Sequence, residues 1–459
     1  MNPARPKLAA ATETRIDSHV PPIAPTRAAA FRYWWKLGWI SFGGPAGQIA
    51  IMHHDLVERM HWISERRFLH ALNYCMVLPG PEAQQLATYI GWLMHRTWGG
   101  IVAGALFVLP SLFVLIALSW VYMAHGQVPA IAGMLYGIKP AVTAIVLHAA
   151  WRIGTRALKS PSLWAIAAAA FVAIFAFAAP FPAIVLAAGA LGALGGKLAP
   201  AQFAAVRAHS AGGSAHAPAI IDDDTPTPKH ALFRASRLAA VAAVGLALWG
   251  ASFAALFVMS GGDSPLTQMG WFFTKAALLT FGGAYAVLPY VYQGAVETYG
   301  WLAPPQMIDG LALGETTPGP LIMVVAFVGF VGGWTKQLFG PEHLFLAGAL
   351  AATVVTWFTF LPSFLFILAG GPLVESTHGQ MKFTAPLSAI TAAVVGVIVN
   401  LALFFAYHVL WPQGFNAPVD WVSLLIGASA TMALFRFKVG VIPVILACGL
   451  AGLAITLLH

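Results

Sequence analysis

Five ionisable side chains and four glycine–proline breaks mark where this apolar chain can do chemistry. Phe42-Gly43-Gly44 and Phe281-Gly282-Gly283 each interrupt an apolar stretch, and so do Pro79-Gly80-Pro81 and Pro318-Gly319-Pro320. Glycine permits backbone angles closed to other residues and leaves its N–H bare. Proline suits the first turn of a helix that restarts after the break. Each restart offers free N–H groups and the positive end of a helix dipole, which is an anion site without a fixed charge. A single break is as well read as a kink in a packed helix. Two motifs repeated in register favour a cradle of four converging helix ends.

Ionisable residues inside apolar segments are candidates by default. Lys36 and Lys275 hold the same place before the two Phe-Gly-Gly motifs, where a cation would help hold a dianion or would reach out to the membrane interface. Lys139 lies mid-segment and is a candidate partner for an anion or a proton. Glu82 follows the first Pro-Gly-Pro and Glu315 precedes the second. A carboxylate beside an anion repels it until protonated, so either can couple protons to anion movement. The plain alternative for Glu82 is complementation of a helix dipole. The substrate-binding set read from the sequence is Lys36, Phe42, Gly43, Gly44, Gln48, Pro79, Gly80, Pro81, Gln85, Lys139, Lys275, Gly282, Gly283, Thr316, Thr317 and Gly319, with Glu82 and Glu315 for proton coupling. Neither a catalytic residue, nor a metal ligand, nor a cofactor is expected. The sequence carries no HExxH, CxxC or Walker A pattern, and no nucleophile–base pair at a workable spacing. His53, His54, His61 and His70 read as interface residues.

The elements that position these groups come in two copies. With Phe42 set on Phe281, Trp62 falls on Trp301, Glu58 on Glu297 and Pro79-Gly80-Pro81 on Pro318-Gly319-Pro320 without a gap. The chain is 59% hydrophobic and only 9% charged, against about 25% charged in soluble domains. It cannot cover a water-facing surface and reads as an all-α polytopic membrane protein. The net charge of +8 is spread over loops between apolar runs, so it points to cytoplasmic loops and not to nucleic acid. Cys75 and Cys448 both lie in apolar segments, which argues against a disulfide framework.

Apolar segments are expected at about 29–52, 68–94, 98–124, 127–150, 161–180 and 181–198, then 236–260, then 268–292, 305–333, 343–369, 384–409, 420–435 and 440–458. Residues 1–28 read as a disordered cytoplasmic tail, 29–198 as the first repeat and 199–235 as a solvated linker. Residues 236–260 form a connecting helix and 261–459 the second repeat. A six–one–six pattern inverts the second copy. Loop charges agree: Arg59, Arg66 and Arg67 follow the first Phe-Gly-Gly segment, whereas Gln293 to Gln306 hold no Lys or Arg. One conflict remains, because the basic tail and the basic 53–70 loop flank a single segment. Re-entrant hairpins with the motifs near their tips resolve it. Nine crossings with four hairpins, or thirteen crossings, both put the N-terminus inside and the C-terminus outside.

These motifs resemble the chromate ion transporter family, long two-domain type. The resemblance is carried by Ser-Phe-Gly-Gly-Pro at 41–45, Gln48, Trp62, Leu-Pro-Gly-Pro at 78–81 with Glu82, Gln84 and Gln85, and Leu-Pro-Ser at 109–111. The second copy adds Thr-Phe-Gly-Gly at 280–283, Glu315 to Pro320 and Leu-Pro-Ser at 361–363. It departs with Ala284 for Pro45, Val287 for Gln48 and Leu321 for Glu82. The resemblance implies a bacterial inner-membrane carrier that exports chromate and confers resistance to it, driven by the membrane potential or a proton gradient. A sulfate-type oxyanion carrier, a facilitator or an anion channel is the alternative. The partners implied are a chromate- or sulfate-type oxyanion and the lipid bilayer, with a homodimer as an option.

Overall fold

The computed structural model describes residues 24–42, 44–203, 218–223, 225–281, 283–376 and 384–458. Among them the chain is all-helical, with one isolated bridge between Ile63 and Ile221 in place of any strand. The tail up to residue 23, Gly43 and Gly282 lie outside the described residues.

The repeat in the sequence is a repeat of helices. In the first half α1 (Arg27–Ile40) runs into the Phe-Gly-Gly break, and α2 (Gly44–His53) restarts and ends in a wide π turn, His54–Arg59. α3 (Glu65–Val77), capped by Ser64, leads to Pro-Gly-Pro and α4 (Glu82–His125). α5 (Pro129–Ala157), α6 (Pro161–Phe177), α7 (Phe181–Leu198) and a single turn, α8 (Pro200–Phe203), complete it. A connecting helix, α9 (Ala235–Ser260), precedes α10 (Pro265–Leu279), α11 (Ala284–Tyr292) with its π turn Gln293–Thr298, and α12 (Pro304–Thr316). α13 (Val324–Thr335), α14 (Leu344–Ser376), α15 (Thr384–Leu410), α16 (Trp421–Phe435) and α17 (Val441–Leu458) follow. The two π turns, and α3 with α12, fall in register with the motifs.

α4 is two helices. His95 and Arg96 leave helical geometry, with Arg96 at φ 59°. The arm 82–94 there doubles back along the arm 97–125. Added Cβ atoms at Gly91 and Gly100 would strike Ala103 Cβ at 2.6 Å and the Thr88 carbonyl at 2.9 Å. Small residues let membrane helices approach this closely. In the second copy α13 and α14 form the same antiparallel pair, with Gly329 against Ala351.

Both breaks of the first half sit at the tips of hairpins whose bases share one face. At the base of the first hairpin the Tyr33 and Trp62 rings are 5.3 Å apart. The linker then touches both ends of the second hairpin. Ser64 donates to Asp223 at 2.7 Å, and the His230 ring pairs with the Trp92 carbonyl at 2.9 Å. In the second half the corresponding bases meet at the opposite face, where Phe272 packs on Trp301 with ring centroids 5.7 Å apart. The positions 33 and 62 of the first copy are 272 and 301 of the second. The fold is therefore an inverted repeat with re-entrant helices. Arg27 at the start of α1, the 53–70 loop and Arg96 all lie on the linker face, which removes the charge conflict between the described basic residues flanking the first hairpin.

The arm 97–125 and α14 cross from face to face in opposite directions, as do α5, α6, α7, α9, α15, α16 and α17. Seven of these nine have the length and apolarity of a full span, and α6 and α16 are shorter apolar helices. The halves exchange helices: α6 and α7 pack on α15, while α16 and α17 pack on α5. The linker is not solvated throughout. Ile221 and Ala231 are buried, and Arg67 reaches both the Asp222 carbonyl and Glu375.

Candidate functional site

The four tips meet in the middle of the protein, each Pro-Gly-Pro docked on the Phe-Gly-Gly of the other repeat. The Gly80 N–H donates to the Thr280 carbonyl at 2.7 Å, and the Gly319 N–H donates to the Ser41 carbonyl at 2.8 Å. Both acceptors are terminal carbonyls of broken helices, orphaned by helix geometry. The Ser41 and Thr280 hydroxyls bond back to Leu37 and Ala276 and so leave those carbonyls to the partner repeat. Gly80 at φ 125° and Gly319 at φ 96° hold angles that only glycine adopts readily. They also admit close neighbours. A Cβ on Gly319 would lie 2.8 Å from Ser111 Cβ, and one on Gly80 would lie 2.6 Å from Gln85 Nε2 and overlap Ser363 Oγ. Ser111 stands midway along the arm 97–125, about 20 Å from either end at ~1.5 Å per residue. The junction therefore lies at mid-depth.

Buried polar groups crowd this junction and are incompletely bonded. The Gln48 amide donates to the Ser41 carbonyl at 3.2 Å and to the Gly319 carbonyl at 2.5 Å. The Gln85 amide donates to the Pro79 carbonyl at 2.8 Å. Gln48, Gln84, Gln85, Ser111 and Ser363 are all at most 1% exposed. Even so, Oε1 of each glutamine and Oγ of both serines have no partner among the described residues. Such vacancies are costly in a core and common where a ligand or water binds. The helices starting at Gly44, Glu82, Ala284 and Leu321 all open toward this region.

The carboxylates stand on either side. A Glu82 oxygen lies 3.8 Å from the Cβ position of Gly283 and so faces the second Phe-Gly-Gly. Glu315 is buried and accepts a hydrogen bond from the Tyr285 hydroxyl. Thr316 and Thr317 donate to carbonyls one turn back, at 2.8 and 2.9 Å. Pro79 and Pro81 frame Gly80, and Phe42 is half-buried at its tip.

The lysines are placed differently. Lys36 is exposed on α1, and the Lys275 ammonium lies over the Trp271 ring, 5.7 Å from its centroid. The structure does not bring them to the junction. Lys139 is 3.4 Å from Asp309, which also accepts from Tyr122 at 2.9 Å. Sequence reading missed Asp309 and Tyr285. Asp309 was findable by the rule that selected Glu315, since both are carboxylates in one apolar segment. His53 pairs with Glu65 and Glu58, and His54 with Glu58. Among the described residues no group of three or more His, Cys, Asp or Glu is arranged to hold a metal.

The chromate transporter family model matches residues 28–193 and 267–453, one block in each repeat. The chain is 34% identical to a chromate transport protein of Pseudomonas aeruginosa, over 96% of this chain and 95% of the relative. It is 30% identical to a chromate transport protein of Cupriavidus metallidurans, over 93% of each. An uncharacterized transporter of Bacillus subtilis is 31% identical over 26% of this chain and 68% of its own length. No solved structure matches the chain. Two family blocks falling on two inverted repeats, and near full-length identity to these relatives, make this multi-pass membrane protein a member of the chromate transporter family.

Proposed function

We propose that this protein is an ion-driven secondary transporter that exports chromate across the bacterial inner membrane and so confers chromate resistance. The substrate is held at the mid-depth junction and no chemical step occurs. The observation that carries this reading is the reciprocal docking of Gly80 on Thr280 and Gly319 on Ser41, with unpartnered buried amides and hydroxyls around it. Inverted repeats with broken helices at the midplane suit alternating access around a fixed site. Helix N-termini favour a tetrahedral anion there. The relatives named for chromate transport support the substrate. Glu82 and Glu315 exchange protons against anion occupancy, and the membrane potential or proton gradient drives efflux. The basic linker face is cytoplasmic by the positive-inside rule, with the C-terminus periplasmic.

The test is chromate uptake into everted membrane vesicles, with sulfate as competitor and a protonophore control. Saturable uptake above vector vesicles that collapses with protonophore is expected. Saturable uptake indifferent to the protonophore and to the membrane potential would make the protein a facilitator. No uptake above vector vesicles would remove chromate as substrate.

A further inference from the structure

The unpartnered atoms at the junction are mostly of one kind. The amide nitrogens of Gln48 and Gln85 face backbone carbonyls, which accept and never donate. The Gln84 nitrogen faces the Thr88 hydroxyl, whose own proton goes to the Gln84 carbonyl. These bonds fix the orientation of each amide. Three buried Oε1 atoms are thereby left as acceptors without a donor. An acceptor oxygen repels the oxygens of a bare dianion, so what fills these places must bring hydrogen. Ser111 Oγ and Ser363 Oγ, also unpartnered, can donate or accept.

We propose that the junction selects a tetrahedral oxyanion in its singly protonated form. The anion's O–H is donated to Oε1 of Gln48 or Gln85. Its bare oxygens take the serine hydroxyls and the free N–H groups of the helix ends. This rests on the transport reading above and narrows its substrate class. It also separates anions of equal shape. Chromate takes up a proton near neutral pH, whereas hydrogen sulfate and hydrogen selenate lose theirs several pH units lower, so sulfate and selenate stay dianionic. The charged and titratable groups around the tips are Glu82, with Cys75 close enough to interact with it, and Glu315 with Tyr285, on which Arg152 acts electrostatically. Lys139 on α5 pairs with Asp309 on α12, which also accepts from Tyr122. Adjacent carboxylates repel a monoanion less than a dianion, which favours the same species.

The experiment uses the full chain in everted vesicles, with selenate and sulfate competing against chromate one pH unit below and one above neutrality. Apparent affinities for selenate and sulfate should be at least about tenfold weaker than that for chromate, because a site built to receive a hydroxyl rejects an analogue that lacks one. Half-saturation in total chromate should fall on the acid side and stay constant when expressed as hydrogen chromate. Gln48→Leu and Gln85→Leu should move the chromate-to-selenate preference toward parity. Glu82→Gln should retain the preference, because the proton sits on the anion. Selenate competing as well as chromate at both pH values overturns the proposal while leaving transport intact. Loss of the preference in Glu82→Gln alone overturns it too, by assigning selection to the carboxylate. The wild-type series decides the question even where a glutamine variant does not fold. Absence of chromate uptake at either pH removes the transport reading itself, and this proposal with it.

Discussion

At the scale of single residues, the junction depends on two glycines in a backbone conformation that side chains resist. Gly319→Val adds a β-branched group at φ 96°, 2.8 Å from Ser111 Cβ. Such strain costs about 1–3 kcal/mol before the clash is counted. The expected outcome is an inserted protein with less than about a tenth of wild-type chromate flux. Gly44 also has positive φ, at 70°, but a Cβ there meets nothing within 4 Å. Gly44→Ala should therefore lose less flux than Gly319→Ala, and equal losses would mean that the packing at Ser111 is irrelevant. The carboxylates give a second residue-scale prediction. Glu82→Gln imitates the protonated state permanently, so chromate should still bind while proton-driven efflux falls. Flux measured against pH in vesicles checks this, and a profile identical to wild type would leave Glu82 with only a helix dipole to complement.

At the scale of elements, the hairpins and the linker make separable predictions. Single-cysteine tags at Arg66 and Lys159, both exposed on the linker face, should react with an impermeant thiol reagent from the same side. Tags at Thr298 and Asn416, exposed on the other face, should react from the opposite side. Labelling of positions 66 and 298 from one side rules out the inversion. The linker is held by Arg67, which bonds Glu375 at 2.6 Å and the Asp222 and Thr225 carbonyls. Glu375 is also bonded by Tyr89 at 2.5 Å. Removing one partner of a buried pair costs about 3–5 kcal/mol. Arg67→Ala should lower the melting temperature in detergent and open the strap 218–237 to protease. An unchanged melting temperature would make the pair energetically silent.

At the scale of the whole molecule, neither half has a complete interior of its own. α6 and α7 of the first repeat pack on α15 of the second, α16 and α17 pack on α5, and each tip closes on the other repeat's carbonyl. Two co-expressed chains, 1–217 and 218–459, should therefore co-purify and transport. Either alone should be degraded or aggregated, because exposed helix faces and unpaired backbone groups are costly in lipid. Stable, inserted single halves in a detergent pull-down would contradict this account of the packing.

The sequence by itself determined the class, the repeat and its inversion. Low charge leaves no soluble alternative. Phe42, Trp62 and Gly80 recur in register as Phe281, Trp301 and Gly319, and loop charge is a property of composition that needs no coordinates. It also marked the breaks, because Gly and Pro act on the local backbone. What only the tertiary structure decided is which break meets which. A helix end seeks any acceptor, and nothing local says that Gly80 finds Thr280 across the repeat and not its own copy. For the same reason the sequence leaves Lys36 and Lys275 open between holding a dianion and reaching to the interface, whereas the fold leaves Lys36 exposed on α1 and sets Lys275 over the Trp271 ring. The pairing of Lys139 with Asp309, and the vacancies on Gln48, Gln85, Ser111 and Ser363, are likewise contacts between distant segments. Hydrophobic pattern and local propensity fix what each segment is. Which polar atoms end without a partner depends on how all the segments close together.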